Sequence, residues 1–293
     1  MQELFFSIII PTYNRGELIE NTIKSVLQQT FNGFELLIID DGSTDNTKEI
    51  VVQQILQDNR VHYFHQRNSE RAIARNNGAK KSKGKYLIFL DSDDTFSSID
   101  HLKNIHTFII SKKEDTGLYF TGAVIYNQFQ TFTSKKYESE ELNSFDFFVN
   151  ESIVPARVCV SKAIFDVLEF DTDCIVVEDT VLWTAIMDHY PIYYIPIFSV
   201  SYFLHEGNSV NITKNNAYKQ RLVGLKKLFN QYKVGGKITK KTKDFHLNRC
   251  YLGIYEFYFN TNKILLSKYW LLISIIHFPQ LETKHKIKKL FYH

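Results

Sequence analysis

The first hundred residues alternate between short apolar runs and longer stretches in which apolar residues recur at helical spacing. The apolar runs predict strands over residues 6–10, 36–39, 61–65 and 86–90. The stretches between them predict helices over residues 16–29, 46–56 and 71–83. Uninterrupted apolar strands that alternate with helices are typical of a mostly parallel sheet flanked by helices. The pattern therefore predicts an α/β fold.

The pattern changes twice further along the chain. A strand is predicted over 117–126, a helix over 180–188, and one or two strands over 192–203 with a break at Pro196. After about residue 214 the chain becomes helical, rich in lysine and aromatic. We therefore predict one domain over 1–213, built from a first half at 1–100 and a second half at 101–213. A C-terminal helical appendage is predicted over 214–293.

Charge is distributed unevenly between these two parts. Residues 1–213 hold 18 Lys and Arg against 29 Asp and Glu, whereas residues 214–293 hold 17 against 3. The apolar stretch at 263–278 is interrupted by Lys268 and is shorter than the roughly 18–20 residues that a membrane-spanning helix needs. We therefore expect residues 214–293 to contact an anionic membrane peripherally. The alternative is a helical cap whose lysines face water. Nucleic acid is not an expected partner, because the acidic first part would repel it.

Polar residues follow three of the predicted strands. Thr12, Tyr13 and Asn14 follow the first strand, Asp40 and Asp41 end the second, and Asp91, Ser92, Asp93 and Asp94 follow the fourth. Ligands of parallel α/β sheets bind beyond the carboxyl ends of the strands. Three neighbouring carboxylates repel one another unless a cation lies between them, and oxygen ligands suit Mg²⁺ or Mn²⁺ together with phosphate oxygens. The alternatives are a solvated acidic turn after the fourth strand and an Asx-turn after the second, with Asp45 capping the following helix.

Basic residues on the third predicted helix complement these carboxylates. Arg71 and Arg75 are four residues apart and therefore project from one face, where a guanidinium can bind phosphate oxygens in a fork. The lysines at 80, 81, 83 and 85 fit a solvated face better.

Five segments of the chain resemble family 2 glycosyltransferases with the GT-A fold, in the order in which that family has them. The segments are Ser7-Ile-Ile-Ile-Pro-Thr-Tyr-Asn-Arg15, Leu37-Ile-Ile-Asp-Asp-Gly-Ser-Thr-Asp45, 68–94 with Leu90-Asp-Ser-Asp-Asp94 at its end, Val177-Glu-Asp-Thr-Val-Leu-Trp183, and His205-Glu-Gly-Asn-Ser209. Together they span roughly residues 5–210. The chain departs from the family pattern at Glu70 or Arg71, where many members have Gly.

The resemblance implies a GT-A fold and an inverting glycosyltransferase that takes a nucleotide-diphosphate sugar, with UDP as the expected nucleotide. It implies that the donor nucleotide is bound by Pro11, Thr12, Tyr13, Asn14, Asp41, Arg71, Arg75, Asp91 and Ser92. Asp41 would read the base, and Asp91 would contact the ribose or a metal-bound water. Asp93 would bind Mn²⁺ or Mg²⁺, and His205 would contact the metal or a phosphate. We expect Asp94 to cap the next helix.

The resemblance makes residues 1–213 a GT-A catalytic domain, with a nucleotide-binding half at 1–100 and an acceptor half at 101–213. It also implies the groups that act on the acceptor. Asp179 would be the general base that removes the proton of the acceptor hydroxyl, with Glu178 supporting it. Trp183 would line the sugar or acceptor site, although a core position is an equal alternative. The acceptor is expected to be a glycan or a lipid-linked glycan of polysaccharide biosynthesis. The expected location is the cytoplasm, at the inner face of the membrane, because three widely spaced cysteines suggest no disulfide framework and residues 1–11 do not resemble a signal peptide.

Two other functions compete with glycosyl transfer. Residues 86–95 also fit the strand and DxDxT signature of haloacid-dehalogenase-like phosphatases, with Asp91 as the nucleophile. That family normally carries its nucleophile on the first strand, and the clusters at Thr12–Asn14 and Asp40–Asp41 would have no role. A non-catalytic nucleotide-sugar-binding or scaffold protein is the third hypothesis, and it would not need both Asp93 and Asp179.

Overall fold

The computed structural model describes residues 4–112, 116–127, 129–137, 153–174, 176–204, 217–231 and 239–279. Its strands are β1 (Phe6–Thr12), β2 (Phe34–Asp40), β3 (Val61–His65), β4 (Tyr86–Phe89), β5 (Thr95–Phe96), β6 (Leu118–Tyr126), β7 (Thr131–Thr133), β8 (Val158–Ser161) and β9 (Ile192–Phe203). Its helices are α1 (Gly16–Leu27), α2 (Thr47–Gln57), α3 (Arg71–Lys81), α4 (His101–Ser111), α5 (Lys162–Phe165), α6 (Glu178–His189), α7 (Ala217–Gln231), α8 (Lys240–Asn260) and α9 (Ile264–His277). The predicted strands and helices of the first hundred residues are confirmed to within a few residues at their ends.

The strands form one sheet in the order β3-β2-β1-β4-β8-β6-β9-β5, and β7 pairs with β6. The first four strands of this order are parallel to one another, as are β6 and β9. Strand β8 runs antiparallel to both β4 and β6, and β5 runs antiparallel to β9. The mostly parallel sheet that the alternating pattern predicts is confirmed, and the antiparallel strands lie in the half beyond β4.

Every residue of β1 and β2 is buried, so both faces of the sheet are covered at these strands. On one face, Ile8 and Ile38 pack in a cluster with Ile23 of α1 and Ile105 of α4. Ile9 and Ile39 point to the other face, because successive strand residues alternate. These two residues meet α3 at Gly78, where an added Cβ would lie 2.5 Å from Ile9 Cγ2 and 3.0 Å from Ile39 Cγ1. Glycine therefore lets α3 approach the sheet closely.

Two prolines lie in strands without interrupting them. Pro11 belongs to β1 and has no backbone N–H to donate. The pairing of β1 with β4 ends at Ile9 and Phe89, so Pro11 removes no hydrogen bond between these two strands. Pro196 lies within β9, which is one strand where one or two were predicted. Thr121 pairs with Ile195 and Gly122 pairs with Phe198, so Pro196 and Ile197 form a bulge in β9 opposite β6.

The chain divides into two compact units. The first comprises Met1–Asn143, Ser152–Thr172 and His189–His205, and it contains the sheet. The second comprises Ser144–Glu151, Asp173–Asp188 and Glu206–His293, and it contains helices α7, α8 and α9. The domain boundary at residue 213 stays a prediction. No helix within the described ranges has both the length and the hydropathy needed to cross a bilayer. Cys159, Cys174 and Cys250 are buried.

Candidate functional site

The three polar clusters predicted from the sequence lie together at the carboxyl edge of β1, β2 and β4. Strand β1 lies between β2 and β4, so its end is flanked by the ends of both neighbours. Thr12 is paired with Asp40 in the β1–β2 register, and the Asp41 N–H donates to the Thr12 carbonyl at 2.8 Å. The Oγ1 atom of Thr12 is buried and has no hydrogen-bond partner among the described residues. The fold therefore places these side chains where parallel sheets bind their ligands.

Asp40 forms the turn that was one of the alternatives for this position. Its Oδ1 accepts from the Ser43 N–H at 2.8 Å, and its Oδ2 accepts from the Tyr63 hydroxyl at 2.5 Å. Burial, together with the bond to the Asp40 carboxylate, raises the pKa of Tyr63 above its usual value. Gly42 follows with φ +87°, a conformation that L side chains rarely adopt. Asp40 therefore shapes the turn that presents Asp41.

Asp41, the predicted base-reading residue, is buried and held in a network. Its Oδ1 accepts from Gln66 Nε2 at 2.8 Å and from the Ser69 N–H at 2.9 Å. The Gln66 side chain in turn accepts from Asn77 Nδ2 at 2.8 Å. Gln66 was not predicted from the sequence, although it directly follows β3 at the same edge of the sheet as the other clusters. These bonds fix the carboxylate in one orientation.

Tyr13 and Asn14 lie in the turn after β1. The Tyr13 side chain is 48% exposed, so its ring is available for stacking. Asn14 has φ 50°, and its Oδ1 accepts from the Thr44 N–H at 2.8 Å. The Asn14 N–H donates to Ser43 Oγ at 2.9 Å. Asn14 therefore ties the turn after β1 to the turn after β2.

The loop after β4 is held from two helices. Arg75 of α3 is almost completely buried, and its Nη2 lies 2.5 Å from Asp91 Oδ1 in an ion pair. Thr22 of α1 donates from its Oγ1 to the Ser92 carbonyl at 3.0 Å. The Arg75 guanidinium also lies over the Phe170 ring, 5.3 Å from its centroid. Asp91 and Ser92 are thereby positioned by the protein, while the Asp93 side chain is partly exposed.

The prediction that Asp94 caps the next helix is wrong. The residues after Asp94 form β5, and α4 begins only at His101. The Asp94 side chain is 1% exposed, and its Oδ1 accepts from the Phe203 N–H of β9 at 3.3 Å. Burial and the charges of Asp91 and Asp93 raise the pKa of Asp94 well above its usual value. Asp94 therefore lies inside the sheet half that follows β4, where no helix terminus is available.

Helix α3 carries Arg71 and Arg75, and Asn76 anchors this helix to Phe170. Asn76 donates to the Phe170 carbonyl at 2.9 Å and accepts from the Phe170 N–H at 3.1 Å, which fixes the ring under Arg75. Arg71 is the first residue of α3 and is partly exposed. The residue before it, Glu70, has φ 76° and ψ 154°. Glycine adopts this conformation without strain, which matches the glycine that many members of the resembling family have here.

The donor set after β4 fits a divalent cation that also takes oxygens from a ligand. Within the described ranges, no group of three or more His, Cys, Asp or Glu side chains is placed to hold a metal ion by itself. Asp91 is paired with Arg75, and Asp93 adds a second, partly exposed carboxylate at this strand end. A hard cation suits carboxylate oxygens and usually completes its coordination with water and phosphate oxygens.

The predicted acceptor-side residues lie in the second unit. Glu178 and Asp179 form the first turn of α6, where the helix N-terminus favours negative charge. The Thr180 N–H donates to Asp179 Oδ1 at 2.6 Å. Glu178 is buried, and Trp183 is 1% exposed, which favours the core alternative for that tryptophan. His205 lies outside the described residues, so its predicted role stays a prediction.

Comparison with known sequences identifies glycosyltransferases among the relatives of this chain. The profile of Glycosyl transferase family 2 matches residues 7–160. The GalNAc(5)-diNAcBac-PP-undecaprenol beta-1,3-glucosyltransferase of Campylobacter jejuni is 25% identical over 313 residues, which cover 96% of this chain and 97% of that protein. Five further curated glycosyltransferases match over shorter stretches, and the chain spans between 13% and 58% of their own length.

Solved structures share the fold. The S. aureus TarS 1–349 in complex with UDP-GlcNAc superposes with a TM-score of 0.69 at 19% identity, over 93% of this chain and 81% of that one. The mannosyltransferase PcManGT from Pyrobaculum calidifontis, in complex with GDP-Man and Mn²⁺, superposes with a TM-score of 0.60 at 15% identity, over 97% and 80%. These neighbours and the family match confirm the GT-A fold that the sequence motifs implied.

Proposed function

Because this chain belongs to glycosyl transferase family 2, we propose that it is an inverting glycosyltransferase that moves a sugar from a UDP-linked donor to a hydroxyl group. One observation carries the proposal: three polar clusters lie at the carboxyl edge of three adjacent parallel strands. They are Thr12–Asn14, Asp40–Asp41 and Asp91–Asp94. A nucleotide, a diphosphate and a cation together need an aromatic surface, fixed acceptors and carboxylates, and these clusters supply all three.

The nucleotide lies against the first two clusters in this proposal. Tyr13 stacks on the base with its exposed ring. Gln66 holds the Asp41 carboxylate in one orientation, in which it accepts a hydrogen bond from the base. Pro11 and Thr12 shape the end of β1 beneath the nucleotide, and Arg71, Asp91 and Ser92 are the residues we assign to its ribose and phosphates. The buried Arg75, which the sequence also assigned to the nucleotide, acts through its ion pair with Asp91. UDP is the proposed nucleotide because this pattern resembles uracil-reading members of the family, and TarS is a neighbour with UDP-GlcNAc bound.

The leaving diphosphate is assigned to the carboxylates after β4. Asp93 and His205 would hold Mn²⁺ or Mg²⁺, and the cation would offset the negative charge that develops on the departing nucleoside diphosphate. Arg75 contributes by holding Asp91 in place through a buried ion pair, so the loop keeps its shape when a ligand binds. PcManGT is a neighbour whose complex contains Mn²⁺, which supports a divalent cation for this fold.

Proton removal from the acceptor is assigned to Asp179, with Glu178 supporting it. The attacking hydroxyl loses its proton to the Asp179 carboxylate while its oxygen bonds to the anomeric carbon and the bond to the diphosphate breaks. Attack from the side opposite the leaving group inverts the anomeric centre. The position of Asp179 in the first turn of α6 keeps a carboxylate favourable there. Trp183 supports this helix from its buried position.

We propose a glycan or lipid-linked glycan as the acceptor, as in polysaccharide assembly at the inner face of the cytoplasmic membrane. The support is the Campylobacter jejuni relative, whose name describes glucosyl transfer to an undecaprenol-linked glycan and whose length matches this chain almost completely.

Calorimetric titration tests the donor site. UDP, GDP and CMP are titrated into the protein with Mn²⁺ and with EDTA, and into the Asp93→Ala variant. We expect metal-dependent binding of UDP alone, and at least about a tenfold loss of affinity in Asp93→Ala. Asp166→Ala is the matched control, because Asp166 is an exposed carboxylate of the same unit whose ion pair with Lys162 is on the surface. Absence of nucleotide binding under every condition would refute the site.

The same variants separate the competing functions. A haloacid-dehalogenase-like phosphatase would release phosphate from a general substrate and would not need Asp179. A nucleotide-sugar-binding scaffold would bind UDP but would retain its function in Asp179→Asn. Transfer that is lost in Asp179→Asn while UDP binding persists supports the glycosyltransferase and excludes both alternatives.

A further inference from the structure

The C-terminal helix α9 buries two serines and one leucine, and it exposes a row of large apolar residues. The buried residues of α9 are Ser267, Leu271 and Ser274. Ser274 donates from its Oγ to Asn248 Oδ1 of α8 at 2.7 Å, and this bond is buried. A helix that only covers a water-soluble protein has the opposite arrangement, with its apolar stripe against the core. Most of the large apolar side chains of α9 are therefore not buried by its packing on α8.

The outward face of α9 carries four large side chains in one row, which we call the apolar stripe. Leu265 is 88% exposed, Tyr269 55%, Leu272 45% and Ile276 64%. Their spacing of four, three and four residues places them on one side of a helix. Leu266, next to the stripe, is also exposed. Scattered exposed leucines are ordinary, but a contiguous row of this kind marks a binding surface.

Positive charge surrounds the apolar stripe in the sequence. Residues 214–293 contain 17 Lys and Arg against 3 Asp and Glu. Within the described helices, the basic residues are Lys219, Arg221, Lys226, Lys227, Lys240, Lys241, Lys243, Arg249 and Lys268. A second copy of this chain would bring two such basic segments together and would be repelled, because a symmetric dimer contacts the same patch on both subunits. An anionic lipid surface attracts them.

We propose that the apolar stripe inserts into the interface of an anionic bilayer, so that α9 lies in the membrane plane. Lys268 of α9 and Lys219, whose Nζ lies 5.9 Å from the centroid of the Trp270 ring, would then contact lipid head groups. Helix α9 has 14 residues, and no helix in the described part of the chain is able to span a bilayer, so the contact is peripheral. The proposal goes beyond glycosyl transfer by assigning the membrane-binding surface, and it stands or falls without reference to the donor site.

Vesicle sedimentation tests this surface with the full-length protein. Vesicles of phosphatidylcholine alone are compared with vesicles that also contain phosphatidylglycerol, at low and at high salt. We expect the protein to sediment with the phosphatidylglycerol vesicles and to be released by salt, because the attraction is screened. In Leu265→Ser/Leu272→Ser we expect at least about tenfold weaker partitioning, since each leucine loses its burial in the lipid.

Leu56→Ser is the matched control, because Leu56 of α2 is 76% exposed and lies outside the basic segment. It should partition as the unchanged protein does. Circular dichroism checks that the variants fold, and the single change Leu265→Ser repeats the test if the double variant does not fold. Failure of the unchanged protein to bind phosphatidylglycerol vesicles would overturn the proposal, and so would unaltered binding by a folded stripe variant. A dimer in analytical ultracentrifugation that the stripe variant dissociates would instead identify a second copy as the occupant and also overturn it.

Discussion

Replacing Glu70 by glycine is expected to make the protein more stable. Glu70 is the residue before the first turn of α3, and it has φ 76° and ψ 154°. This conformation is nearly restricted to glycine, because a Cβ atom is crowded there. The Glu70 side chain is exposed and makes no capping hydrogen bond to α3. Removing it therefore relieves backbone strain without removing a helix cap.

The size of the effect follows from two opposing contributions. A non-glycine residue in this region costs about 1–3 kcal/mol. Glycine increases the conformational freedom of the unfolded chain, which costs about 0.5–1 kcal/mol. The difference is a gain of up to about 2.5 kcal/mol in the free energy of unfolding, or up to about 4 °C in melting temperature for a chain of this size.

Thermal unfolding followed by circular dichroism measures the gain, and Glu70→Ala is the control. Alanine removes the carboxylate but keeps the Cβ atom, so it should leave the melting temperature close to that of the unchanged protein. A Glu70→Gly variant that melts lower than the unchanged protein would refute the reasoning. Equal stabilisation by alanine and glycine would also refute it, because the cause would then be the charge and not the backbone.

Three further predictions concern packing, catalysis and pH. Gly78→Ala should lower the free energy of unfolding in urea by about 1–2 kcal/mol. A Cβ atom 2.5 Å from Ile9 Cγ2 overpacks the contact between α3 and the sheet, and this loss of stability exceeds the gain from the higher helix propensity of alanine. Asp179→Asn should reduce single-turnover transfer by about 10²–10⁴-fold while calorimetry shows unchanged UDP affinity. Burial lowers the pKa of His101 from 6.5 to about 3, so the unfolded state binds more protons below pH 6.5. The free energy of unfolding should then fall by up to about 1.4 kcal/mol per pH unit as pH drops from 6.5 towards 3. Urea titrations of His101→Asn should show a free energy of unfolding that depends less steeply on pH over this range.

The strand ends of the site were predictable because parallel strands carry their ligands at one edge. A run such as 86–90, apolar throughout, forms a buried strand, and the carboxylates after it must lie at its end. The same reasoning placed Thr12–Asn14 beside Asp40–Asp41, and the register of Thr12 with Asp40 agrees. Gln66 follows β3 in the same way, so the same rule could have predicted its position at the site.

Other features depended on contacts between distant residues. Arg75 and Asp91 are 16 positions apart, and their ion pair exists because α3 approaches the sheet at Gly78. Asp94 is buried because β9, more than a hundred residues later, passes beside it. The outward direction of the apolar stripe depends on which face of α9 meets α8, and both faces of this helix are apolar in sequence.

Local pattern was therefore sufficient for the alternating strands and helices from β1 to β4, the GT-A family resemblance and the carboxyl-edge clusters. These properties arise from short-range periodicity and from residues that adjoin one strand end. The partners of Arg75, Asp94 and Ser274, and the outward face of α9, required the folded chain. Each is set by which elements pack together, and side-chain alternation along a single element carries no information about that choice.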